Sequence, residues 1–537
     1  MRKHLFNLIS TCLLICGSLK SQVPNWASDI APILYKNCTT CHHTGGLAPN
    51  SLMTYLEAFN YKTMIKQYVD NKYMPPWSPD ADYKHLAFER ILSSDDKNKI
   101  SQWVLGGGLQ GNLGNAPAQP TYTNNSSQLS VIDFSGIMQD YTVNTSMDLY
   151  RCFVINTNFA VDKFAAEIEV KPGNSSIVHH VLVFEDTAQA IVNLDNADPG
   201  PGYTNFYGTG SGSSRLVGEW VPGTAPIKFP NMMGIRMKAN TRIILQVHYP
   251  KGTFLKLDST RVNIKFATNT QSPVFREVFL IPIITETTLI NGPLSIPPNV
   301  VKTFTAITTP TTPPGVTLPF GAFTLLTIAP HMHLIGQKMK IFGIESGTND
   351  TIPLINIPKW DFKWQGLYNF RNPIKVPIGS TLVCQSVYDN TSSNLNNPNS
   401  PPIQVNQGES TSDEMMLVFF ALTYYFPGDE NIVIDNSPVV GLQELKNSNI
   451  VNTLQLYNVF PNPAKTQAQL SYFSPNNFLG KAKILSYEGK LIKEWPVTLQ
   501  QGYGDINLNI DGLSKGQYFI SVETKLYTKT RIFIINE

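Results

Sequence analysis

The sequence predicts a multidomain, mainly β protein: a small α-helical domain, two tandem β-sandwiches of jelly-roll type, and a small terminal β-sandwich. Three observations predict it. At 537 residues the chain is several domains long, since one domain takes roughly 100–200 residues. Proline (38) and glycine (36) are plentiful while charged residues make up only 15%, which favours many short strands joined by turns. The hydrophobic share of 42% is too high for a disordered chain, and it is spread along the sequence rather than gathered into spanning runs.

The balance of 41 basic and 39 acidic residues, net +2, gives no electrostatic reason to expect a nucleic-acid partner. Gly106-Gly107-Gly108 lacks the Lys-Ser/Thr that a phosphate-cradling loop needs.

Residues 1–22 read as a signal peptide. Arg2 and Lys3 precede an apolar stretch from Leu5 to Leu19, and Ser18 and Ser21 offer cleavage points. The stretch is shorter than the ~20 residues a membrane span takes. Cys16 raises a lipoprotein option, but bulky Ile15 before it fits lipid attachment poorly. No transmembrane span is expected in the mature chain.

Residues 23–110 read as the helical domain. Asp29 to Asn37, Ser51 to Ala58 and Ser94 to Leu105 carry apolar residues at helical spacing. Cys38-Thr39-Thr40-Cys41-His42 is the C-x-x-C-H of c-type haem attachment, in which both thiols bond the haem and His42 is an axial ligand. Met74, in Tyr73-Met74-Pro75-Pro76-Trp77, is the best second axial ligand because the prolines stiffen its loop. Met64 and Met53 are its alternates. A zinc half-site or redox dithiol is the competing reading, but there is no second C-x-x-C. His43 and His85 read as surface residues. The segment resembles small bacterial cytochrome c domains.

A Gly-, Asn- and Gln-rich linker covers 111–126. Residues 127–270 and 271–435 read as the two sandwiches. Strand patterns run through Ala165–Val170, Thr241–Val247 and Val262–Phe266. Of nine histidines, the five after residue 100 fall in three places: His179-His180, His248 and His331-Met332-His333. One such histidine is usually structural; the clustering points to metal. In a strand, His331 and His333 face the same side. His248 shares its face with Gln246 and Ile244. His179 and His180 face opposite sides unless a bulge or strand end turns one of them. Imidazole alone does not choose the metal. H-E-x-x-H is absent, which ranks zinc enzymes low.

Residues 127–435 resemble the copper type II, ascorbate-dependent monooxygenases, namely the peptidylglycine and dopamine β branches. The matching pieces are Val178-His179-His180-Val181, Leu245-Gln246-Val247-His248-Tyr249, His331-Met332-His333-Leu334 and Ser412-Asp413-Glu414-Met415. The resemblance implies two sandwiches with one copper ion each. His179, His180 and His248 would hold the electron-transfer copper. His331, His333 and Met415 would form the catalytic copper site where O₂ reacts, with ascorbate or another electron donor. The soft thioether suits Cu(I). From the residues alone, Met415 and Met416 are not distinguished.

The chain departs from that family at several positions. Met416 stands where the family has a cysteine, so the disulfide to the position of Cys384 is lost, and whether Cys384 pairs with Cys152 is left open. The peptide branch clamps its substrate carboxylate with Arg, Asn and Tyr; here those positions are Ala329, Leu417 and Phe419. The resemblance therefore implies a small organic substrate other than a C-terminal glycine peptide. The alternative reading is a haem and copper electron-transfer or metal-binding protein without hydroxylase activity.

After a linker at 436–453, residues 454–537 form the last unit. Leu456-Tyr457-Asn458-Val459-Phe460-Pro461-Asn462-Pro463-Ala464 and Leu513-Ser514-Lys515-Gly516-Gln517-Tyr518 resemble the C-terminal sorting domain of type IX secretion. An adhesion or carbohydrate-binding module is the competing reading. The resemblance implies the type IX machinery as partner, and a secreted or cell-surface protein from a bacterium with an outer membrane.

Overall fold

The computed structural model describes residues 23–122, 127–206, 208–311, 318, 320–348, 350–437, 454–487 and 489–536. The expected signal peptide, with Cys12 and Cys16, and nearly all of the expected 436–453 linker lie outside the described residues. Strands make up 39% and helices 12% of the described residues, so the mainly β, multidomain expectation is met. Among the described residues no helix is long and apolar enough to cross a membrane.

The chain divides into two compact units. The first comprises residues up to Met74 together with Ser94–Tyr122. A π-helical turn, Trp26–Ile30, leads into the helix Ala31–Asn37; Tyr55–Asp70 and Ser94–Leu105 follow. The second helix starts later than the apolar spacing from Ser51 suggests, because its cap is Thr54. The Thr54 hydroxyl accepts the Glu57 N–H at 3.3 Å and the Glu57 carboxylate accepts the Thr54 N–H at 2.7 Å, a reciprocal cap that satisfies two orphan donors. The helix then runs on to Asp70, past the last clearly periodic residue.

The second unit holds Pro75–Ser93 and everything after Tyr122. Its first sandwich packs a six-stranded sheet against a five-stranded one. The five-stranded sheet runs Tyr203–Thr204, Leu149–Asn156, Arg242–Tyr249, His180–Asp186, Arg215–Trp220. Its central strand, Arg242–Tyr249, is buried from Ile243 onward, because both faces are covered and only Arg242 at its start is partly exposed. The second sandwich packs two four-stranded sheets, one of them ordered Phe279–Ile284, Leu417–Tyr424, Ala322–His331, Tyr368–Pro377. Leu326 and Ala421 of this sheet join the apolar core of the first sandwich. The two sandwiches therefore share a continuous apolar boundary, which holds their histidine-bearing strand ends near one another.

Pro75–Ser93 packs on the second sandwich. The Asp80 N–H donates to the Asn356 carbonyl and the Ala87 N–H to the Asn369 carbonyl, both at 2.8 Å, and Leu86 pairs with Phe370. Residues 454–536 form a third sandwich, of a three-stranded and a four-stranded sheet, with its own core. Cys152 and Cys384 are both buried free thiols, so the structure leaves them unpaired.

Two candidate metal centres and a candidate haem site

The first histidine group is built by strand register. His248 pairs with His180 on one side and Tyr150 on the other, which puts the three side chains on one sheet face. His179 stands just before the strand His180–Asp186, and its N–H donates to the His248 carbonyl at 2.9 Å. The strand end therefore turns His179 onto the same side, as one of the two alternatives required. The Nδ1 atoms of His179 and His180 are 3.2 Å apart, and one ring nitrogen from each of the three histidines lies within 4.8 Å of the others. Ligand atoms ~2.0 Å from a tetrahedral ion would be about 3.3 Å apart.

His248 is fully buried, and among the described residues neither ring nitrogen has a hydrogen-bond partner. Leaving such a group unpaired costs about 1–3 kcal/mol, a cost a metal ion would offset. Tyr150 stacks on its ring at 4.2 Å and 7°. Burial, then the neighbouring His248 and His331, pushes the His179 imidazole down to about 3; His180 is likewise held well down by burial and the same neighbours. The rings are thus neutral at ordinary pH, the form that ligates metal. Asp148 sits 3.7 Å from His248 Nε2. His248 and the Thr411 hydroxyl help hold its carboxyl below the usual range.

The second group forms where two antiparallel strands end together. His331 pairs with Leu417 across Ala322–His331 and Leu417–Tyr424, so His333 and Met415 leave the sheet at the same edge. The strand stops at His331. His331 and His333 are therefore not on one regular strand face, as the spacing suggests; their rings stand 5.1 Å apart at 89°. His331 Nδ1 meets the Gln365 Oε1 oxygen. His333 Nδ1 lies 3.1 Å from the Asp413 carbonyl. Acceptors at both Nδ1 atoms make these the protonated nitrogens and leave each Nε2 to bind. Burial, then His333, pushes His331 down to about 3; burial pushes His333 to about 4 against the Asp413 carbonyl.

The structure separates the two methionines. Met416 is fully buried in the core of the second sandwich, whereas Met415 is half-buried and outside that core. Between them and the histidines sits Glu414, fully buried. Its two oxygens accept the His333 and Ile335 N–H groups, each at 2.8 Å. Burial pushes this carboxyl up to about 8 despite those bonds.

One loop touches both groups. Trp360 Nε1 donates to the His333 carbonyl at 3.2 Å. Phe362 stacks on His179 at 4.6 Å and lies 5.8 Å from His333. Gln365, beside His331, also donates to the Phe362 carbonyl at 2.9 Å. A second link joins the groups, since the Thr411 hydroxyl donates to Asp148 at 2.5 Å. Phe362, Gln365 and Asp148 escaped the sequence reading, and Glu414 stands in it only within Ser412-Asp413-Glu414-Met415, without a role. Only Glu414 left a signal, as a carboxylate abutting an apolar strand.

The haem-type motif follows the helix Ala31–Asn37. The Cys41 and His42 N–H groups both donate to the Cys38 carbonyl, at 3.1 and 3.0 Å, so the motif winds as one tight turn. Among the described residues neither thiol is in a disulfide, and burial pushes Cys38 up to about 12. His42 Nδ1 lies 2.8 Å from the Asn50 carbonyl, which leaves Nε2 for a metal. This donor set fits a covalently held haem. Met74 is half-buried. Met64 is exposed at 48%, and the Met53 carbonyl accepts from Tyr35 at 2.8 Å. His43 and His85 are partly buried and partnered rather than plain surface residues: His43 stacks on Tyr122 at 4.3 Å, and His85 pairs with Glu89 at 3.1 Å.

Comparison with known proteins bears on two stretches. Residues 282–442 match the family described as copper type II ascorbate-dependent monooxygenase, C-terminal domain. Residues 458–536 match the secretion system C-terminal sorting domain. Such a domain directs export by the type IX machinery of a Gram-negative bacterium, to the cell surface or outside. No curated protein matches the chain. Among solved structures, the β-glucuronidase of Ruminococcus gnavus is 10% identical with a TM-score of 0.12, covering 44% of this chain and 37% of its own. That of Lactobacillus rhamnosus is 10% identical, also with a TM-score of 0.12, covering 48% and 45%. The chain thus spans less than half the length of these proteins, and at that superposition the likeness carries no argument.

Proposed function

We propose, from the premise that residues 282–442 are a copper type II monooxygenase C-terminal domain, that this exported protein hydroxylates a C–H bond of a small organic substrate with O₂. The observation that carries the reading is the pair of histidine groups: His179, His180 and His248 meet around one point, and His331 and His333 each keep one ring nitrogen for binding. His179, His180 and His248 would hold one copper, and His331, His333 and Met415 the other. Bound copper would supply the redox chemistry with O₂, using two electrons per turnover from ascorbate or a similar donor.

The chain's own residues prepare that chemistry. Burial keeps the imidazoles neutral and ready to bind. Gln365 and the Asp413 carbonyl orient the His331 and His333 rings. Glu414 anchors the backbone of His333 while its own chain leads into Met415, so both ligand segments share one anchor.

Cys38, Cys41 and His42, with Met74 as second axial ligand, would carry one c-type haem as an electron entry point. A donor on the same chain acts at high effective concentration. The test is metal and haem analysis of protein exported by a native-like host, followed by O₂-uptake assays with candidate substrates. Two coppers, one covalent haem and O₂ uptake coupled to hydroxylated product are expected. Copper binding with haem oxidation but no product would favour the electron-transfer reading; loss of copper at both groups would overturn the proposal.

A further inference from the structure

The second unit contains a cavity of about 730 Å³ that the metal chemistry does not use. It is lined by Trp77, Phe88, Arg90, Phe229 and Tyr368, among others. A small void of about 40 Å³ shares Trp77, Arg90 and Tyr368 with it and extends to Gln365. The volume falls within the ~300–1,000 Å³ range of sites for small organic ligands.

Two features of the wall lack partners. Arg90 is half-buried and forms no ion pair among the described residues, although the neighbouring Lys228 is matched by Glu167 at 3.1 Å. The turn at Gly223 makes room for it: a side chain there would come within 2.9 Å of Arg90 Nη1, and the residue has φ +81°. Trp77 Nε1 is buried with no hydrogen-bond partner among the described residues, while its ring stands edge-on to Tyr368 at 5.5 Å. An unmatched guanidinium beside aromatic rings recognises a carboxylate on an apolar body, because planar bidentate pairing is strong where water is scarce.

We propose that this cavity binds an aromatic or apolar monocarboxylate, and that its occupancy is felt at His331 through Gln365. The ligand would be an effector rather than the hydroxylated substrate. Gln365 holds His331 at Nδ1, whereas the metal-binding nitrogen is Nε2, so the cavity approaches the ring from behind. The coupling rests on the metal-site reading above; the binding does not.

The probe is 4-phenylbutyrate, titrated calorimetrically into the full-length protein stripped of copper, with 4-phenylbutyramide as the uncharged control. The acid should bind at least ten-fold more tightly than the amide. Arg90→Gln should abolish that preference and Arg90→Lys restore part of it; Trp77→Phe should weaken the acid a few-fold, with melting temperatures reporting that each variant is folded. In protein reloaded with Cu(II), the acid should shift the copper EPR spectrum, and Gln365→Leu should bind the acid without the shift. Equal binding of acid and amide, no binding of either, or an unchanged preference in Arg90→Gln overturns the site. Tight binding with no EPR change in the wild-type protein overturns the coupling alone.

Discussion

The imidazole of His179 stacks on the phenyl ring of Phe362 at 4.6 Å, with 21° between the planes. The same phenyl ring lies edge-on to His333 at 5.8 Å and 81°. One side chain of the second sandwich therefore touches a histidine from each candidate metal centre. Because Phe362 is half-buried, Phe362→Ala should cost only about 1–2 kcal/mol of stability. Both coppers should remain bound, while coupled O₂ uptake falls at least ten-fold. Calorimetry, copper analysis and an oxygen electrode check the three parts separately; unchanged turnover would make the ring a packing residue only.

Met415 and Met416 offer a paired test. Met415→Ile removes a thioether from a half-buried position, so the second copper should be lost with little change in melting temperature. Met416→Ile alters a fully buried core residue, so it should keep both coppers but lower stability by up to about 1.5 kcal/mol. Copper stoichiometry and thermal melts on the two variants would show whether the roles are reversed.

Glu414 presents an acceptor oxygen to each of two buried N–H groups, those of His333 and Ile335. In Glu414→Gln the amide keeps one acceptor and turns an NH₂ toward the other donor. The lost bond should cost about 1–3 kcal/mol. Copper affinity at His331, His333 and Met415 should fall roughly 10–100-fold, as for other changes behind a metal ligand. Competition with a chelator measures it; an unchanged affinity would deny Glu414 its positioning role.

Away from the centres, Arg276 and Asp429 form a buried two-pronged pair, one contact at 2.7 Å, which Thr324 supports with a further hydrogen bond to Asp429 at 2.6 Å. Burial raises the Asp429 pKa, but Arg276, the Phe426 N–H and Thr324 outweigh it and hold the carboxyl below its usual range. Its folded pKa therefore lies below the unfolded value of about 3.9. The stabilisation is present above that value and is lost as pH falls through the folded pKa. Asp429→Asn should cost about 3–5 kcal/mol at pH 7 by stranding Arg276, and the penalty should shrink toward pH 3 in urea melts.

Ala329 pairs directly with Phe419 across the sheet that carries His331, and both are apolar. With no carboxylate clamp at those positions, C-terminal glycine peptides should not be preferred substrates. Competition between such a peptide and neutral small-molecule substrates in one O₂-uptake assay tests this; efficient peptide hydroxylation would mean that another cation takes over the clamp.

Much of this protein could be read from the chain before its fold was known. Strand patterns at 163–171 and 242–249 carried the β class, because alternation reflects the two faces of a strand directly. Five histidines in three places marked the candidate metal ligands by residue type. Where a strand stops was not legible at that level: the shared strand face expected of His331 and His333 did not form, and a strand end rather than a bulge turned His179. His333 lies beyond its strand, and His179 before its own.

The sequence by itself determined the mainly β class, the candidate ligand set and the terminal sorting domain, since each is written in local pattern or residue chemistry. Only the tertiary structure decided that Met416 is core and Met415 is not, for neighbouring residues of one apolar run differ only in what packs on them. Only it brought Phe362 between His179 and His333, Glu414 beneath His333 and Gln365 beside His331. It also laid Pro75–Ser93 along the second sandwich, giving Trp77 and Arg90 a cavity wall. Such contacts join residues tens to hundreds of positions apart, and no local pattern encodes them; they follow from the apolar burial that packs one sheet against another.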